Sequence, residues 1–138
     1  MDTGKGILAA LVLVLVLLIL LGGGFVWFQM QGKELKEPLP VEVDMGEFTT
    51  NLADTERTRY IQTQVTLLVQ GMGIQKKVAQ EKAALRDAIN STLRSFTSAR
   101  LQTPHGEDEL KAALKAAVEG ILGPGTVQKV YLPRLVIQ

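Results

Sequence analysis

The sequence has 138 residues and a formal net charge of +1, from 15 lysines and arginines against 14 aspartates and glutamates. There is room for one domain plus one further element, and the charge balance singles out no polyanionic partner. The chain contains no cysteine, which excludes disulfides, thiolate metal sites and cysteine nucleophiles. It does not fix the compartment, because a thiol-free domain suits the periplasm and the cytosol alike.

The first element is apolar. Residues Ile7 to Phe28 carry no charged side chain. As a helix, this run of about 22 residues would measure about 33 Å, enough for a hydrocarbon core of about 30 Å. A signal peptide has a shorter apolar region followed by a small-residue cleavage site, whereas this run continues through Val26, Trp27 and Phe28 into polar sequence, so an uncleaved anchor is expected. Trp27 and Phe28 stand where an aromatic belt would lie. Lys5 on one side and Lys33 and Lys36 on the other give little orientation signal. A six-residue tail, 1–6, cannot fold, so the functional domain lies after the anchor and is expected outside the cytoplasm.

Gly32, Pro38 and Pro40 punctuate a charged stretch and block helix continuation, which makes Gln29–Pro40 a linker and leaves residues 41–138 as the domain. Val41, Val43 and Met45 alternate with Glu42, Asp44 and Gly46, the pattern of a short strand, and a turn follows at Asn51–Arg57. The clearest strand comes next: Ile61, Thr63, Val65, Leu67 and Val69 share one face, with Tyr60, Gln62, Gln64 and Thr66 on the other. After Gly71 and Gly73 the apolar period changes to that of a helix. Ile74, Val78, Leu85, Ile89, Leu93 and Phe96 line one side of one helix, or of two with a bend, reaching Ala99, with Lys76, Lys77, Lys82, Arg86 and Arg94 on the opposite side.

Thr103 as cap and Pro104 in the first turn predict the start of another helix, with Glu107, Asp108 and Glu109 near its positive end. Its buried stripe is Leu110, Leu114, Val118 and Ile121, and Gly123, Pro124 and Gly125 stop it. The last segment, Thr126–Gln138, has the β-branched, apolar character of a buried strand, but Pro133 confines it to an edge or a bulge. The expected fold is therefore α+β: a small, mainly antiparallel sheet with helices packed on one face. Three strands over about 100 residues make a modest core, which self-association would help.

Little in the sequence speaks for catalysis. His105 is the only histidine and sits in a turn, the acidic residues lack metal-ligand spacing, and Ser91, Ser95 and Ser98 have no nucleophile elbow. Gly71 to Gly73 is too short for a phosphate loop. No catalytic, cofactor or metal site is expected.

The order of the charges is more informative. Between Glu34 and Glu56 the acidic residues, among them Glu42, Asp44 and Glu47, face only Lys36, whereas from Arg57 to Arg100 the basic residues, among them Lys82, Arg86 and Arg94, face only Glu81 and Asp87. One reading is solvated faces that compensate within the monomer. The other is head-to-tail pairing of neighbouring subunits through Glu42, Asp44 and Glu47 on one side and Lys82, Arg86 and Arg94 on the other, which makes a ring if it closes. Nucleic acid is a poor partner for a domain that lacks aromatic platforms and lies beyond a membrane anchor.

Read together, Arg59–Val69, Leu85–Ile89, the positions Leu101, Thr103, Gly106, Glu109, Leu110 and Lys111, and the terminal Val127, Val130, Tyr131, Val136 and Gln138 resemble, in order and spacing, the FliL family of flagellar basal-body proteins. Where that family carries Phe-Thr-Asp-Phe near its end, this chain has Leu132, Pro133, Arg134 and Leu135, so contacts made by the family's polar pair do not carry over. The resemblance implies a single-pass protein of the bacterial inner membrane with a periplasmic, stomatin-like domain completed by the terminal strand. It further implies a non-enzymatic ring that supports the stator units, and so rotation and motility. A generic bitopic scaffold of an assembly or secretion machine, and a secreted ligand-binding domain or enzyme, stay open as other classes.

Overall fold

A computed structural model describes residues 2–31 and 37–138, which form two compact units, Met1–Lys36 and Glu37–Gln138. In the first, α1 (Thr3–Gln31) is a single helix, about 43 Å long at the usual rise. Its Ile7–Phe28 side chains are exposed on all sides, so the helix has no polar face to turn toward water. It is long and apolar enough to cross a membrane. The helix runs three residues into the expected linker; residues 32–36 of that linker lie outside the described residues, and 37–40 have no regular structure.

The second unit contains β1 (Val41–Asn51), β2 (Tyr60–Val69), α2 (Ile74–Gln80), α3 (Lys82–Arg94), α4 (Ser98–Leu101), α5 (Gly106–Leu122) and β3 (Val127–Ile137). The strands form one antiparallel sheet in the order β1-β2-β3, with helices on one face, which is the expected α+β architecture. The alternation of β2 is complete: Ile61, Thr63, Val65, Leu67 and Val69 are all buried. The one hydroxyl among them is satisfied, since Thr63 Oγ1 donates to the Arg134 carbonyl at 2.8 Å. Onto this face pack Leu85, Ile89 and Leu93 from α3 and Leu110, Leu114 and Val118 from α5, each fully buried.

β1 is longer than the alternation predicts, and a bulge is the reason. Asp44 faces Thr66 and Gly46 faces Val65, so Met45 is an extra residue between them. Gly46 has φ +89°, a conformation open to glycine, and its N–H donates to Asp44 Oδ1 at 2.8 Å. The extra residue shifts the burial phase, so Met45 and then Phe48 both point into the core. A two-residue period read from Val41 cannot continue through that shift.

The helical run to Ala99 breaks twice, at Glu81 and at Ser95–Thr97, yielding three helices whose apolar residues still share one core. The expected start at Pro104 is also displaced. Thr103 Oγ1 donates to the Arg100 carbonyl at 2.8 Å and so closes the end of α4, while α5 starts at Gly106 after the exposed His105. Gly106 is buried against α4, where a Cβ would come within 2.7 Å of the Leu101 carbonyl oxygen and closer still to that of Arg100. Glu107, Asp108 and Glu109 occupy the first turn of α5 as expected.

β3 is an edge strand, and Pro133 lies in a bulge: Gln64 faces Arg134 and Thr66 faces Tyr131, so β3 has one residue too many between them. Its burial is less than the apolar sequence predicts. Val127 and Val130 are buried, but Leu132, Leu135, Val136 and Ile137 are half-buried, because an outer strand has neighbours on one side only.

Replacing Leu67, Leu93 or Leu114 with alanine should cost about 2–5 kcal/mol each in denaturant unfolding, whereas an exposed change such as Lys115→Ala should be near neutral. Gly106→Ala should lower the thermal midpoint although alanine favours helices, because the gain of about 1 kcal/mol in propensity is outweighed by collision with two backbone carbonyls.

Candidate assembly surface

The face of the sheet opposite the helices has no element of the domain over it, and its register sorts charge by strand. On that face β1 presents Glu42, Asp44 and Glu47, β2 presents Leu68, Thr66 and Gln64 opposite them, and β3 presents Lys129, Tyr131 and Arg134 opposite those. Glu42, Glu47, Lys129 and Arg134 are exposed, and among the described residues none makes a side-chain ion pair. Asp44 is partly committed. Besides holding the bulge, its Oδ2 accepts from Gln64 Nε2 at 3.2 Å.

The basic residues singled out from the sequence are placed quite differently from one another. Arg86 is not on the solvent side of α3. It folds over β1, donating from Nη1 to the Met45 carbonyl and from Nη2 to the Glu47 carbonyl at 3.1 Å, with its guanidinium 4.2 Å from the centre of the Phe48 ring. The Met45 carbonyl belongs to the bulge residue, which has no partner in the ladder, and Arg86 satisfies it. A side chain on Gly46 would come 2.9 Å from Nη1, which ties that glycine to the same contact.

Lys82 is exposed and borders a shallow groove with Val43, Asp44 and Met45. Arg94 is exposed in the last turn of α3. Of the three, only Arg86 hydrogen-bonds to the acidic strand, and it does so through backbone carbonyls rather than carboxylates. Sequence reasoning did not find this clamp; the signal for it was the Asp44-Met45-Gly46 triplet, whose Asx turn and glycine mark a bulge. It also passed over Lys129 and Arg134, since their alignment with Glu42 and Glu47 exists only once both strand registers are set.

Elsewhere charge is used locally. Arg100 Nε donates to Glu109 Oε2 at 2.8 Å and stacks on Phe96, Lys111 pairs with Glu107 at 3.3 Å, and Asp54 accepts from the Ser98 amide and hydroxyl, both at 3.1 Å. Among the described residues no group of three or more His, Asp or Glu side chains could hold a metal ion.

The sequence model of the family described as "Flagellar basal body-associated protein FliL" matches residues 42–138, all of the sheet but Val41 and every helix of the domain. The chain belongs to the FliL family. It is also 36% identical over 91 residues to the "Flagellar protein FliL" of Aquifex aeolicus (strain VF5), a match covering 66% of this chain and 56% of that protein, so the chain spans little more than half of the relative it matches.

The FliL-like positions can now be given physical roles. Leu85, Ile89, Leu101 and Leu110 are core, Gly106 permits a close approach, Glu109 and Lys111 make local ion pairs, and Arg86 holds the β1 bulge. These serve the fold. Arg86→Ala should therefore lose about 1–3 kcal/mol in equilibrium unfolding, because two carbonyls and an aromatic face lose their partner, while Arg94→Ala should change stability by less than about 0.5 kcal/mol. Equal effects of the two substitutions would contradict the clamp.

Proposed function

We propose that this FliL-family protein is a non-enzymatic, single-pass component of the bacterial inner membrane, in which residues 1–6 are cytoplasmic, residues 7–28 span the bilayer, residues 29–40 form a linker and the domain 41–138 is periplasmic. There it assembles into a ring that surrounds and supports the stator units of the flagellar motor. The observation that carries the reading is the family match across residues 42–138 behind a helix fit to cross a membrane.

Physically, such a ring acts without chemistry. If it binds the active conformation of a stator better than the inactive one, it shifts the population toward the active state by that difference in affinity. The anchor would lie beside stator helices, the linker would set the height of the domain, and unpaired charge would join subunits. The acidic strand, Glu42, Asp44 and Glu47, supplies one side of that contact. Among the basic residues of α3, Lys82 and Arg94 are exposed enough to serve, whereas Arg86 is already engaged with its own β1.

The reading predicts that a fluorescent fusion of the full chain gathers at flagellar bases and disperses in cells lacking stators, and that deleting the protein reduces swimming. Unchanged foci in stator-less cells, with unchanged stator occupancy in cells lacking the protein, would favour a generic basal-body scaffold instead.

A further inference from the structure

Resting on the ring reading, we infer that the subunit contact runs from β1 of one copy to β3 of the next, pairing Glu42 with Lys129, Asp44 with Tyr131 and Glu47 with Arg134. Three rows cross the outer face of the sheet: Glu42–Leu68–Lys129, Asp44–Thr66–Tyr131 and Glu47–Gln64–Arg134. Each begins at one free edge with a carboxylate and ends at the other with a cation or a phenol. β1 and β3 run in the same direction, since both are antiparallel to β2. A second copy set beside the first in the same orientation therefore continues each row, bringing its Glu42, Asp44 and Glu47 against Lys129, Tyr131 and Arg134.

The spacing along the two edges matches for a specific reason. Glu42 and Glu47 are separated by the Met45 bulge, Lys129 and Arg134 by the bulge containing Pro133, and each bulge adds one residue between the same two β2 positions. Without either bulge, one charge of its strand would turn to the inner face. Asp44 can take the Tyr131 hydroxyl in addition to its present bonds, because a carboxylate has about four acceptor sites.

The same features argue against a continuous backbone ladder between copies. Pro133 has no N–H, and Arg86 occupies the Met45 and Glu47 carbonyls of β1. The contact is thus one of side chains, reversible and weakened by salt. Being heterologous, it closes into a ring when each copy is rotated by a whole fraction of a circle about an axis perpendicular to the line along which copies are added.

The absence of cysteine gives a clean test. The full chain carrying Glu47→Cys and Arg134→Cys, in membranes and in mild detergent, should form a ladder of disulfide-linked multimers on oxidation. Within one molecule these positions lie two strand spacings apart, about 10 Å, beyond the reach of about 7 Å that a disulfide tolerates. Either substitution alone should give no ladder. Sedimentation of the full chain in detergent should show Arg134→Glu losing the higher oligomers and Glu47→Arg with Arg134→Glu regaining them. Absence of the Glu47→Cys/Arg134→Cys ladder overturns the assignment. If Glu47→Cys/Arg94→Cys crosslinks in its place, the ring reading survives with α3 as the basic side; if no pair crosslinks and the unmodified full chain sediments as a monomer, the ring reading falls as well.

Discussion

Everything in the domain is referred to the inner face of β2. Five alternating positions, Ile61 to Val69, are buried without exception, and the strand is hydrogen-bonded on both sides. Burying such a face stabilises the domain by about 1.5–3 kcal/mol for each large aliphatic side chain, and the amphipathic helices α3 and α5 provide the cover. Because β2 is saturated on both edges and on one face, the other two strands are necessarily outer strands. They differ in what they expose on the outer face, carboxylates on β1 and cations with a phenol on β3.

This arrangement explains which parts of the fold were legible in the sequence. β2 could be read residue by residue because its alternation is unbroken and its period is that of a regular strand. The core stripe of the helices was legible for the same reason, even though the chain breaks at Glu81 and near Thr97, since short helices packed on one sheet keep a common apolar side. Failures fell where a local interaction overrides periodicity. The Met45 bulge inverts the phase of β1, Thr103 closes one helix where a cap for the next was expected, and Arg86 reaches back over an edge that its helical position does not reveal.

The candidate surface was legible only in part. Segregation of charge along the chain pointed to an acidic strand and a basic partner, and the acidic residues do share one exposed face. The basic side is read from the nearest run of cations, on α3, where Lys82 and Arg94 are exposed and Arg86 is engaged with its own β1. Lys129 and Arg134 lie far from β1 in sequence and fall in register with its carboxylates only through two strand pairings. One-dimensional charge patterning cannot see a relation created by a sheet. Several of the positions that resemble the FliL family, Leu85, Ile89, Leu101, Gly106 and Leu110, are architectural.

The connection between β2 and β3 contains every helix of the domain, whereas β1 and β2 are joined by a short loop. The hairpin of β1 and β2 can thus close early through local contacts, while β3 must wait for the helices and a long loop closure. During that interval the acidic edge already exists but the basic edge does not. Under the proposed contact, a half-folded copy could attach to a finished neighbour's β3, yet nothing could grow from its own open side. Elongation would thereby depend on complete maturation of each subunit, a proofreading step inherent in the order in which the strands join.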